Sequence, residues 1–466
     1  MNRPKASLTF PALSLVIVIG GASALLFAPV GRTQDAPANQ TTDAGIAAAL
    51  SKISSAHIQA DIDKLVSFGT RSTISAQDHA AISAGRGVGA AREWIKSEFE
   101  RYSKDCGGCL TVQTDSFLQP PAERVPQATQ ITNVYAVLKG SDPAAAQRIV
   151  LVTGHYDSRN SDILNVNGDA PGANDDGSGA AVSLECARVL SKMKFPATII
   201  FLTVAGEEQG LYGSAHFAQM ATQMQWNIEA VLNNDIVGGN KDAEQDSGTV
   251  RVFSEGIPVA ADDAQLRQIR TTGGESDSTS RQLARYIVET GAAYDTGVRP
   301  QLVFRLDRYL RGGDHYSFNQ QGFAAVRFTE FREDFHHQHQ NVRTEDGIEF
   351  GDLLKFVDFG YVARVARLNA ATLASLASAP AAPTNVKLET ANLENDSTLK
   401  WEPSPGASGY EVLWRATTSP GWEHARSVGP ATTVTLAISK DNVIFAVRAL
   451  DNAGHRSLAV VPSPGR

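Results

Sequence analysis

The sequence predicts an α/β fold, with a central and mostly parallel mixed sheet flanked by helices, followed by a small C-terminal all-β sandwich. Three observations carry this. From about residue 131, apolar runs alternate with helical patterns. Near residue 378 the stretch ASLASAPAAPTNV changes the texture to an Ala/Pro linker. Beyond it come short alternating segments at β-sandwich spacing. At 466 residues the chain exceeds what one core organises. The expected division is a leader over 1–38, an α/β domain over 39–377, a linker over 378–384 and a sandwich over 385–466.

Taken in order, Arg3 and Lys5 precede LTFPALSLVIVIGGASALLFAPVG, a mostly apolar run with no charge before Arg32. That pattern reads as a secretory signal, or as an N-terminal anchor if it is not cleaved, and places the protein outside the cytoplasm. ISSAHIQADIDKLVSF and GVGAAREWIKSEFERYS have helical spacing. NVYAVLKG and RIVLVTGHYDS read as strands, GSGAAVSLECARVLSKM as a helix and ATIIFLTVAGEE as a strand. GSAHFAQMATQM is a helix, AVLNNDIVG and FAAVRFTE are strands, and 349–377 is a closing helix. TNVKLET, STLKWEP, GYEVLWRA, TTVTLAI and NVIFAVRALDNAGHRS supply the sandwich, whose Trp401 and Tyr410 resemble the core aromatics of fibronectin type III domains.

A net charge of -8, with no basic run, argues against a nucleic-acid partner. Of three cysteines, Cys106 and Cys109 in CGGC can close a tight disulfide, and Cys186 in a helical pattern reads as a buried thiol.

PGANDDGSG, residues 171–179, sets Asp175 beside Asp176 on a turn. Adjacent carboxylates repel unless a cation compensates them. Partners come off the ends of three strands: His155 and Asp157 in GHYDS, Glu207 and Glu208 in AGEEQG, and Asp235 in NNDIVG. DFHHQHQNV adds His336, His337 and His339. In parallel sheets, sites gather beyond the carboxyl ends of strands. Imidazole and carboxylate are donors suited to zinc, and a two-metal site needs a bridging carboxylate plus an unliganded one as base.

GHYDSR, PGANDDGSG, AGEEQGLYGS, NNDIVG, RGGDHYSF and FHHQHQNV, in this order, together with FGTRST and ITNVYAVLKG, resemble metallopeptidase family 28, the co-catalytic zinc exopeptidases. The resemblance spans roughly residues 60–370. It implies two zinc ions, with His155 and Asp235 on one, Glu208 and His337 on the other, and Asp175 bridging. It also implies Glu207 as general base and Asp157 orienting His155. His339 is the alternative to His337, and Asn341 stands where relatives carry an acidic residue. Asp314 and His315 would line the substrate side, and Tyr309 or Tyr316 could donate to an oxyanion. Asp176 is left as a helix start or supporting group.

An aminopeptidase acting on peptides with a free N-terminus is the most economical reading of the resemblance. A carboxypeptidase or dipeptidase would need a cationic pocket, for which Arg159, Arg308, Arg311, Arg327 and Arg332 are candidates. A glutaminyl cyclase would use one zinc, and an inert binding module would lack a ligand or base. Any membrane tether would run through the N-terminal segment, and the sandwich could contact a surface or polymer.

Overall fold

The computed structural model describes residues 42–241 and 243–465. The leader expected over 1–38 lies outside them, and no helix among the described residues is long and apolar enough to cross a membrane.

Four helices open the fold: α1 (Ala44–Leu50), α2 (Ser55–Ser67), α3 (His79–Ser83) and α4 (Val88–Asp105). An eight-stranded sheet follows, with β1 (Leu110–Gln119), β2 (Thr129–Leu138), β3 (Arg148–His155), β4 (Thr198–Val204), β5 (Asn227–Asn234), β6 (Thr249–Ser254), β7 (Arg299–Val303) and β8 (Ala325–Glu330). Their spatial order is β1-β2-β4-β3-β5-β8-β6-β7. β4, β3, β5 and β8 run parallel at the centre, while β1 pairs β2, β2 pairs β4 and β6 pairs β8 antiparallel, and β7 runs parallel to β6.

The central strands read as unbroken apolar runs because both faces are covered. Along β3, Val150 and Val152 join the larger core with α2, α4, α5 (Gly177–Leu190) and α11 (Phe359–Ser378). Ile149 and Leu151 face the smaller core, with Phe217 of α7 (Tyr212–Gln223) and Phe318 of α10 (His315–Gln320). α5 is buried along nearly its whole length, and a Cβ on Gly179 would overlap the Asn234 carbonyl, so glycine lets the helix start approach the end of β5. α6 (Glu207–Gly210), α8 (Asp263–Thr272) and α9 (Thr279–Ala293) complete the helices, and β9 (Arg343–Glu345) pairs β10 (Ile348–Phe350) in a small hairpin.

The closing helix differs from expectation. α11 begins at Phe359 instead of 349, because residues 348–350 pair in that hairpin and Leu354–Phe356 form a 3-10 turn. The helix is capped by Asp358, whose carboxylate accepts from Tyr361 N–H at 3.0 Å. It ends at Ser378, and β11 (Thr384–Glu389) starts the C-terminal part. There β12 (Ser397–Glu402), β13 (Gly409–Ala416), β14 (His424–Gly429), β15 (Thr433–Leu436), β16 (Val443–Leu450) and β17 (Ser463–Gly465) form two sheets, β15-β12-β11-β17 and β14-β13-β16. Trp401 and Tyr410 meet edge to face in its core at 5.5 Å, and the Tyr410 hydroxyl accepts from Ser404 N–H.

The described residues form one compact unit. Arg415 of β13 donates two bonds to Asp277 just before α9, at 2.8 and 2.9 Å, and both side chains are buried. Arg448 of β16 meets Glu289 of α9. Cys106 and Cys109 are disulfide-bonded at the end of α4, and Cys186 is buried and free.

Candidate metal centre

Parallel pairing of β4, β3 and β5 puts their carboxyl ends on one edge, and each delivers chemistry there. His155 is the last residue of β3, level with Val204 of β4. Two residues past Val204, Gly206 adopts φ 83°, a left-handed turn that glycine takes without strain, and Glu207 and Glu208 open α6. Asp235 directly follows β5. The acidic turn closes the group from the front of α5.

Asp175 sits between two histidines. Its Oδ1 lies 3.2 Å from His155 Nε2, and its Oδ2 lies 2.9 Å from His339 Nε2. His155 Nε2 is also 3.9 Å from Asp235 Oδ1, and His339 Nε2 is 3.2 Å from Glu208 Oε2. Two groups of candidate donors result: His155, Glu207 and Asp235, and Asp175, Glu208 and His339, with ligand atoms in each group within 4.8 Å of one another. The Asp175–Asp176 peptide is cis.

The structure brings His339, and not the expected His337, to Asp175 and Glu208. Its ring stacks on Phe356 at 3.6 Å, and its Nδ1 lies 3.2 Å from Asp334. His339, two residues on, has φ 54° in a run of turns. In an extended segment residues i and i+2 would share a side. The left-handed residue breaks that relation, and His339 alone of the two reaches Asp175 and Glu208.

The supporting groups are placed as follows. Asp157 is fully buried; its main-chain carbonyl lies 3.1 Å from His155 Nδ1, and its carboxylate accepts from Thr73 Oγ1 at 2.7 Å and Glu208 N–H at 3.2 Å. Asp176 caps α5 by accepting from Gly179 N–H, and also accepts from the N–H groups of His155 and Ile236. Asp314 is buried, His315 Nε2 bonds the Leu306 carbonyl, and neither Tyr309 nor Tyr316 is among the residues lining the cleft.

Arg327 is not a pocket residue. It is fully buried, and its Nη2 meets Asp235 Oδ1 at 2.8 Å. Arg332 pairs with Glu244 instead.

Other supports had no clear signal in the residue pattern. Asp352 accepts from Asp175 N–H at 2.7 Å and Asn174 N–H at 2.8 Å, and Gln338 Nε2 donates to Asp175 Oδ2 at 3.1 Å. Arg71, in the FGTRST segment, is fully buried and donates to the carbonyls of Leu65, Tyr156, Pro171 and Gly172, tying α2, the exit of β3 and the acidic turn together.

The electrostatics ask for cations. Burial raises the Asp175 carboxyl, but His155 and His339 outweigh it and hold the group well below the usual range. Burial lowers the His155 imidazole, and Asp157, Asp175 and Asp235 together lift it well above its ordinary value. Buried charge at this density persists only when paired or metal-bound. Above the centre opens a cleft of about 640 Å³ that includes Asp175, Glu207, Glu208, Asp235, His339 and four arginines.

The model of Peptidase family M28 matches residues 133–353, the span holding all six candidate metal donors. A probable zinc metalloprotease of Pyrenophora tritici-repentis is 46% identical over 91% of this chain and 88% of its own. The chain belongs to peptidase family M28. Another protein named probable zinc metalloprotease, from Pyricularia oryzae, is 47% identical over 94% of this chain and 87% of its own. This M28 metallopeptidase also shares its fold with the LapA aminopeptidase of Legionella pneumophila, with a TM-score of 0.50 at 23% identity, covering 72% of this chain and 74% of LapA.

Proposed function

We propose that the chain is a zinc-dependent aminopeptidase that removes N-terminal residues from peptides. The observation that carries this reading is the place of Asp175, with one oxygen toward His155 and the other toward His339. The donor set fits two zinc ions. It consists of imidazole nitrogen and carboxylate oxygen, buried Glu208 Oε1 lacks a hydrogen-bond partner, and buried His155 Nε2 faces the carboxylates of Asp175 and Asp235. His155 and Asp235 would hold one ion, Glu208 and His339 the other, and Asp175 would serve both.

When bound, the ions supply Lewis acidity at the scissile carbonyl and acidify water toward neutral pH. Glu207, half-buried at the cleft, accepts the proton of the attacking water on its carboxylate and returns it to the leaving amine. Burial, together with the Asp235, Glu208 and Asp314 carboxylates, pushes Glu207 well above the usual carboxylate range, while His155 opposes. That direction suits a proton carrier. Asp157 holds the His155 ring and the Glu208 main chain, so the two sides of the centre stay in register. The acidic surroundings of the centre favour a free α-ammonium group. A leader over 1–38 would carry the enzyme out of the cytoplasm, released or tethered, and the C-terminal sandwich would be free to touch a surface.

The test is hydrolysis of amino-acid anilides against N-acetylated equivalents, with and without chelator, alongside metal content by mass spectrometry. The expected result is turnover of free-amine substrates only, lost with chelator, at two zinc ions per chain. Equal cleavage of blocked substrates would sink the aminopeptidase reading.

A further inference from the structure

Four arginines line the cleft: Arg124, Arg159, Arg308 and Arg311. They are not equivalent. Arg308 meets Asp307 and Glu333 at 3.0 Å each, and Arg311 meets Glu333 at 2.9 Å. Arg124 and Arg159 have no carboxylate partner among the described residues. Arg124 Nη1 donates to the Glu208 carbonyl at 3.2 Å, and Arg159 donates to the carbonyls of Asn160 at 3.0 Å and Ser161 at 3.2 Å. A guanidinium carries five N–H donors, so both keep donors for a ligand.

Each arginine stands on ordered backbone. Ala122 and Val125 exchange main-chain bonds at 2.8 and 3.0 Å around Arg124, with Val125 buried. Ser161 and Asn341 bond each other beside Arg159, which ties that loop to the segment bearing His339.

Charge decides what these two groups face. The donor carboxylates Asp175, Glu208 and Asp235 and the base Glu207 gather at one end of the cleft. On the aminopeptidase reading, which this inference assumes, those carboxylates face the ions and the substrate amine, while Arg124 and Arg159 line the cleft bonded to main-chain carbonyls. A fork of N–H donors matches a carboxylate in shape and in charge.

We infer that Arg124 and Arg159 form a carboxylate-recognising subsite. The preferred peptides carry, besides the free amine, a carboxylate close to it: an acidic side chain, or the terminal carboxylate of a short peptide.

The experiment compares kcat/KM for matched pairs. One arm uses amidated tripeptides with Glu or Gln at the first or second position; the other uses Leu-Gly-Gly against its C-terminal amide. The expected result is a preference of about tenfold for the acid in at least one arm, which also identifies the source. The ratio falls to about one in the Arg124→Met/Arg159→Met double variant, while Arg270→Met, on the exposed face of α8, keeps the wild-type ratio. Should the double variant fail to fold by thermal melting, the single Arg124→Gln variant carries the test. Calorimetric binding of the same peptides to zinc-loaded Glu207→Gln protein gives the same order without turnover. A wild-type ratio near one in both arms, or a preference kept without the arginines, overturns the subsite. If N-acetylated tripeptides are cleaved as fast as free ones, the aminopeptidase reading fails instead, and the acid-to-amide ratio still reports on the arginines.

Discussion

The buried Asp176 carboxylate accepts the main-chain N–H of His155 at 3.0 Å. It also accepts from Gly179 and Ile236, so one side chain joins the end of β3, the start of α5 and the exit of β5. Asp176→Ala leaves three buried N–H groups without that acceptor. The expected loss is about 3 kcal/mol or more in denaturant unfolding. The folded fraction should keep more activity than Asp175→Ala, whose missing carboxylate faces both histidines.

His339→Ala should bind one zinc ion fewer per chain and lose activity, whereas His337→Ala should keep both ions. Removing the His337 ring costs its stacking on Phe356 and its contact with Asp334, together about 1–2 kcal/mol. Metal content and unfolding midpoints on the two variants separate the roles.

Glu207→Gln should retain its zinc and lower kcat by about 10² to 10⁴-fold, the range for a general acid–base group. Metal analysis before kinetics distinguishes this from loss of a ligand.

Glu330 lies at the end of β8, fully buried, with Asn240 and Asn174 donating to its carboxylate. Burial pushes it up to about 8, from an ordinary 4.5. A raised folded value means that the folded protein holds the proton more tightly than the unfolded chain. Its contribution to stability is therefore complete below about pH 4.5 and lost as pH rises through about 8, at most roughly 5 kcal/mol. Glu330→Gln should flatten this part of the profile in urea unfolding measured from pH 5 to 9. An unchanged slope would show that another group carries it.

Arg415 and Asp277 are both nearly inaccessible, and Arg285 shares the same carboxylate at 3.2 Å. Asp277→Ala strands two buried guanidinium groups and should cost about 3–5 kcal/mol. Because the pair is screened little by salt, the wild-type unfolding midpoint should change less with ionic strength than an exposed pair would imply.

Much of the fold was legible locally. The apolar runs of β3, β4 and β5 announce buried strands, and the chemistry placed directly after each of them is a pattern along the chain. β1, β6, β7, α8 and α9 were not legible. β1 is an edge strand exposed at half its positions, so its apolar alternation is sparse, and α8 buries no residue at all. Neither offers an apolar run: the first alternates sparsely and the second is polar overall.

By itself the sequence determined which residue types stand at the strand ends and that carboxylates crowd on one turn. Strand periodicity and the short reach from a strand to its following residue are local properties. Tertiary structure decided which histidine completes the centre, where Arg327 points and which arginines face the cleft. The direction of the 335–342 segment depends on a left-handed residue and on bonds between Ser161 and Asn341, 180 positions apart. Arg327 and Arg124 look alike in the sequence. Only packing makes one a buried partner of Asp235 and leaves the other, exposed at the cleft, bonded to a main-chain carbonyl.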